Sequence, residues 1–106
     1  MVRCIRDTLH GWGYLEVQVP VRVTSPAMEQ HLHGLAVGDH WLHTSPEFAL
    51  KRLLAAGLPR IYFMGPCFRD EESGPLHTRE FTMLEWYRAG AGYREIMVEL
   101  ESLLKA

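Results

Sequence analysis

Cysteine is nearly absent from this chain. Cys4 and Cys67 are the only two and no C-x-x-C pair exists, which excludes a disulfide framework and a zinc knuckle and fits thiols kept reduced in a cytoplasm. Long apolar runs are missing too. None approaches the roughly 20 residues that span a bilayer. The N-terminal Val2, Arg3, Cys4, Ile5, Arg6 and Asp7 lack the apolar core of a signal peptide, so the expectation is a protein neither exported nor bound to a membrane. No charge of one sign dominates: 11 basic against 13 acidic side chains leave −2, with 5 against 5 in residues 1–53 and 6 against 8 in 54–106. Such totals give no basic face for indiscriminate nucleic-acid binding, and any polyanion must be held locally. Gly11-Trp12-Gly13 has no helix with a third glycine after it, and no Walker A or G-x-S-x-G segment occurs, which removes the common glycine-loop chemistries. There is no internal repeat and no low-complexity tract.

What remains is an ordinary globular composition, 106 residues with 47% hydrophobic and 23% charged, enough for one small core. Val2, Ile5, Leu9 and Trp12 recur at helical spacing and Gly11 and Gly13 close the helix. In Tyr14–Val19, Leu15, Val17 and Val19 alternate with Glu16 and Gln18, a strand with one apolar face before Pro20. Residues 21–31 read as a loop. His31–Val37 and His40–His43 flank Gly38-Asp39 as a hairpin. Ser45 and Pro46 start a helix whose buried face is Phe48, Leu50, Leu53 and Leu54, ended by Gly57 and Pro59. Ile61–Phe68 reads as a buried strand bent at Gly65-Pro66. Asp70–Thr78 is a turn-forming loop. In the strand Arg79–Tyr87, Phe81, Met83, Glu85 and Tyr87 face one way, and Thr82, Leu84 and Trp86 the other. Tyr93, Ile96, Met97, Leu100, Leu103 and Leu104 make a last helix, with Glu95 early and Lys105 late.

The chemistry concentrates around two adjacent strands. An arginine fork at 69 can grip a phosphate or carboxylate, the ring of Phe81 can stack on a base, and Glu85 with Tyr87 can hold an ammonium group. These are the contacts that ATP and an amino acid need.

Phe68-Arg69-Asp70-Glu71, then His77, then Glu80-Phe81-Thr82-Met83-Leu84-Glu85-Trp86-Tyr87 (68–87) resembles motif 2 of class II aminoacyl-tRNA synthetases. Thr44-Ser45-Pro46-Glu47 with Lys51-Arg52-Leu53 (44–53) resembles the lysine-binding segment of the lysyl branch. The opening helix with Leu15-Glu16-Val17-Gln18-Val19-Pro20 (2–20) resembles motif 1, the family's dimer interface. The Leu84-Glu85-Trp86-Tyr87 ending is closer to the stand-alone branch that attaches lysine or β-lysine to elongation factor P than to lysyl-tRNA synthetases.

This resemblance implies an α+β chain, part of a class II synthetase-like catalytic domain with a mainly antiparallel sheet and flanking helices. The implied activity is ATP-dependent formation of a lysine or β-lysine adenylate and transfer to a lysine of elongation factor P. Transfer to tRNA, or weak binding of ATP and amino acid without catalysis, are the alternatives. A homodimer is also implied. Arg69 would meet the ATP α-phosphate and the amino-acid carboxylate as the catalytic residue. ATP would further meet Asp70, Glu71, His77, Thr78 and Phe81, with Glu71 at the adenine amino group, His77 over the outer phosphates and Phe81 under the ring. Ser45, Pro46 and Glu47 would line the amino-acid site, Glu47 and Glu85 on the backbone amine and Tyr87 on the side-chain amine. Thr78 stands where the family has asparagine and Arg79 where it has proline. Motif 3 is not found, so the expectation is the N-terminal part of a longer catalytic domain, impaired alone, with the Mg²⁺ ligands outside this chain.

Taken singly, these residues have ordinary explanations. Arg69, Asp70, Glu71 and Glu72 make a solvated turn, Phe81 a core ring and His77 a surface residue. Ser45 is a helix cap and Glu47 a first-turn acid. His31, His33, His40 and His43 read as polar edge residues of the hairpin, since no cysteine or carboxylate converges with them on a zinc geometry. Glu16 and Glu85 as a glycosidase pair stay open at this point.

Overall fold

A computed structural model describes residues 1–26, 33–70 and 78–106. Within them, three helices flank two three-stranded sheets, consistent with the α+β expectation, and only one strand pairing is parallel. Helix α1 (Val2–Gly11) ends as its glycines foretell. Gly13 takes φ 84°, a region costly to any side chain. This lets the N–H groups of Gly13 and Tyr14 reach back to the His10 and Leu9 carbonyls, both at 3.0 Å.

Strand β1 (Leu15–Glu16) is shorter than the six residues expected and pairs parallel with β5 (Arg60–Phe68). Val17 and Val19 pack inward, but Leu15 is 54% exposed because it sits on the outer strand of the sheet. On the opposite face the half-buried Glu16 accepts both Arg6 Nε and Nη2 and the Tyr62 hydroxyl. That bidentate grip offsets the cost of removing the carboxylate from water. Residues 21–31, expected as loop, include strand β2 (Arg22–Val23), too short to show a period. It pairs with β4 (His40–Leu42), which forms the expected hairpin with β3 (Leu35–Val37) around Gly38 at φ 62°.

Helix α2 (Glu47–Ala55) begins where predicted, with Ser45 Oγ accepting the Glu47 N–H at 3.1 Å. Leu50 is fully buried, with Leu53 and Leu54 beside it. Phe48 does not join them and is 55% exposed. It lies two positions from Leu50, which is about 200° around a helix, so the two cannot share a face.

Strands β5 and β6 (Glu80–Arg88) pair antiparallel from Arg60↔Arg88 to Phe68↔Glu80. Gly65-Pro66 does not interrupt β5. The Pro66 carbonyl accepts His43 Nε2 at 2.7 Å, and the Phe68 N–H donates to the His43 carbonyl at 3.0 Å. The even-numbered backbone groups here therefore face away from β6, and the proline removes no ladder donor. Gly65 leaves room for a ring: a Cβ there would come within 2.8 Å of Phe63 Cζ. His43 is correspondingly buried, contrary to the edge role expected from the sequence; its ring is needed to join the second sheet to β5.

The β5–β6 ribbon divides the core. Ile61, Phe63 and Cys67, with Phe81, Met83 and Tyr87, pack on the side of α2, whereas Tyr62, Met64, Leu84 and Trp86 pack on Leu9 and Tyr14. Helix α3 (Tyr93–Lys105) is clasped by one acid. Glu99 accepts the Tyr14 hydroxyl at 2.6 Å, Trp86 Nε1 at 3.3 Å and Arg88 Nη1 at 3.0 Å. Held on that side, α3 buries Leu103 and turns Met97 and Leu104 outward, 62% and 78% exposed.

Candidate functional site

Period-two geometry puts Phe81, Met83, Glu85 and Tyr87 on the α2 face of β6, as the sequence predicts. Two clusters form along that row.

The first gathers around Glu85. Its Oε1 accepts Ser45 Oγ at 2.6 Å and its Oε2 accepts the Tyr87 hydroxyl at 3.0 Å. Ser45 reaches it because it lies just before α2, where the buried Pro46 accepts the Leu50 N–H through its carbonyl at 2.9 Å. Burial first, and then the negative charge of Glu85, hold the Tyr87 hydroxyl well above the usual phenol range, so it stays a neutral donor. Glu47 opens on the same hollow, about 390 Å³ lined by Glu47, Leu84, Glu85, Trp86, Tyr87 and Ile96. Two carboxylates and a phenol around a half-apolar hollow suit an ammonium group. Lys51 Nζ lies 2.6 Å from Glu47 Oε1. It belongs to the segment 44–53 singled out in the sequence, and a Glu–Lys spacing of four on a helix is the sequence signal for such a pair.

The second cluster is Arg69 with Phe81. The guanidinium carbon lies 5.2 Å from the ring centroid, so the two groups expected at opposite ends of a ligand rest directly on one another. Arg69 Nε and Thr44 Oγ1 are the buried side-chain polar atoms left without a hydrogen-bond partner among the described residues. Asp70 pairs with Arg79 at 3.3 Å, and the Thr78 hydroxyl donates to the Glu80 carbonyl. Both therefore shape the end of the hairpin, and neither is drawn into the Glu85 cluster. Glu71 and His77 lie outside the described residues. Phe81 and Glu85 are four residues apart, about 13 Å along a strand, which suits a ligand with a ring near one end and an amine at the other.

The glycosidase pairing fails on geometry. Glu16 is bound to Tyr62 on the α1 face and Glu85 to Tyr87 on the α2 face, so the sheet stands between them. Behind Phe81, its register partner Cys67 is fully buried. Burial, reinforced by Glu85, pushes its thiol up to about 11. At pH 8, Ellman's reagent should therefore titrate one thiol quickly, the exposed Cys4, and reach Cys67 only on unfolding; two fast equivalents would contradict the burial. Because the raised value belongs to the folded state, this group's contribution to stability falls as pH rises from about 9 toward 11.

The sequence matches the family described as tRNA synthetases class II (D, K and N) over residues 1–106. It is 44% identical to a protein of Vibrio vulnificus named elongation factor P–(R)-β-lysine ligase, over 99% of this chain and 36% of that protein. It is 43% identical to the ligase of the same name from Vibrio cholerae, with the same coverage. The one from Photobacterium profundum is 41% identical over 95% of this chain and 34% of its own length. The chain thus spans about a third of the length of these curated relatives.

Proposed function

The chain belongs to the class II tRNA synthetase family of the D, K and N type, and from that membership and the site geometry we propose that it serves an ATP-dependent ligase for lysine or β-lysine. Residues 2–20, 44–53 and 68–87 would be the counterparts of motif 1, the amino-acid segment and motif 2. The observation that carries the reading is the Glu85 carboxylate, held by Ser45 and Tyr87 on the same sheet face as Arg69 and Phe81.

Glu47 and Glu85 receive the amino acid's ammonium groups with Tyr87. Arg69 leaves its ring to grip the substrate carboxylate and the α-phosphate of ATP. A carboxylate oxygen attacks the α-phosphorus, the bond to the β,γ-phosphates breaks, and pyrophosphate leaves with an acyl adenylate remaining. The guanidinium stabilises charge that builds on the equatorial oxygens. A lysine amine of the acceptor then attacks the acyl carbon, loses its proton and displaces AMP. The relatives' names support elongation factor P as that acceptor.

Mg²⁺ finds no fitting donor set among the described residues. No three of their acidic, histidine or cysteine side chains converge, and Asp70 is turned to Arg79. A cytoplasmic homodimer paired through α1 and β1 belongs to the same proposal, supported by the exposed Val2 and Leu15. Sedimentation should show twice the chain mass, and a monomer at all concentrations would remove the dimer.

The test is an acceptor assay with labelled lysine and β-lysine, offering elongation factor P and tRNA side by side. Label on elongation factor P is expected; charged tRNA with an unmodified factor would reverse the assignment.

A further inference from the structure

Arg69 and Phe81 each have a use in the reaction, yet in the structure they use one another. The guanidinium lies over the ring within the range of a cation–π contact, and the ring is otherwise packed against the cluster of Leu50, Ile61, Phe63 and Cys67. A base stacking on Phe81 and the guanidinium resting on it thus compete for the same accessible ring. Arg69 is also poorly satisfied where it rests, because its buried Nε–H has no acceptor among the described residues. A buried donor without a partner forfeits the hydrogen bond that water gave it. Asp70, the adjacent acid, is turned to Arg79.

From this the geometry points to a resting lock: Arg69 covers the nucleotide platform, and an oxyanion that draws the guanidinium away uncovers Phe81. The lock rests on the reading of these two residues as nucleotide contacts and adds the coupling between them. A nucleoside without phosphate must displace Arg69 and gives it nothing in return. A nucleotide offers the fork a bidentate partner while its base takes the ring. The carboxylate of an amino acid does the same from the other side, so carboxylate and base bind with positive, reciprocal coupling. The site thereby favours ligands that carry a ring and an anion together over ligands that carry a ring alone.

Titrations of adenosine and of ATP into the wild-type chain and Arg69→Ala, followed by calorimetry or NMR, separate these effects. ATP should bind about tenfold or more weakly to the variant, and adenosine about threefold more tightly, since the competing cation is gone. Adenosine affinity that is unchanged or lower would overturn the lock while the loss of ATP binding left the nucleotide reading standing. Wild-type protein that binds neither ligand would overturn the nucleotide reading and the lock with it. Phe81→Leu supplies the reverse arm. With its resting place removed, Arg69 should take inorganic tripolyphosphate about threefold more tightly as adenosine binding is lost, and an equal or weaker affinity for tripolyphosphate would count against the lock. Circular dichroism of both variants confirms that the fold is kept before affinities are compared.

Discussion

Arg69→Ala is expected to lower amino-acid-dependent ATP–pyrophosphate exchange by about 10²- to 10³-fold, the scale on which one well-placed donor to a charged transition state acts. Two features justify so large an effect. Arg69 is the cation brought beside Phe81 on the α2 face, and its Nε is buried with no partner among the described residues. Arg69→Lys should restore only part of the rate, since an ammonium keeps the charge but loses the planar fork. A variant that exchanges pyrophosphate within threefold of wild type would show that the phosphate is gripped elsewhere.

Glu99→Ala carries the other large effect, on stability. Glu99 is 14% exposed and accepts bonds from Tyr14, Trp86 and Arg88. Truncation strands a buried phenol, an indole N–H and a half-buried guanidinium together. A loss of about 3 kcal/mol is expected, roughly 12–20 °C in the thermal midpoint of a domain this size. Glu99→Gln should lose less because it keeps an acceptor and the shape. Urea unfolding with a loss below about 1 kcal/mol would mean that α3 is held by its apolar contacts instead.

Such long-range contacts explain why some of the molecule was readable beforehand and some was not. The ends of α1 and α2 were legible because Gly13 and Gly57 take positive φ, which the chain's own chemistry demands locally. The two faces of β6 were legible because a period of two survives over nine residues. Strand β2 was not, since two residues carry no period. Leu15 and Phe48 were misjudged for a different reason. Whether an apolar side chain is covered depends on what packs against it, and no local pattern records that. Tyr14 and Glu99 are 85 residues apart in sequence, beyond the reach of any window.

The site divides in the same way. Ser45 as a helix cap followed from the sequence alone, and the structure adds its bond to Glu85, 40 residues away. Glu85 and Tyr87 were paired by the strand's period of two, whereas adding Ser45 to them came from likeness to a family. The stack of Arg69 on Phe81 followed from neither, because both side chains have ordinary uses without the other.

The β5–β6 ribbon has one more consequence, for genetics. It is a partition with the proposed ligand groups Arg69, Phe81 and Glu85 on one face and the structural clasp on the other, so neighbouring codons of β6 answer to different selective demands. A saturation scan from 81 to 87 should split by parity. Changes at 85 would lower turnover in protein that still accumulates, changes at 81 and 87, whose rings also pack on the Leu50 cluster, would lower both, and changes at 84 and 86 would chiefly deplete the protein itself. Inheritance of this strand would then read as two interleaved records, one of ligand choice and one of durability.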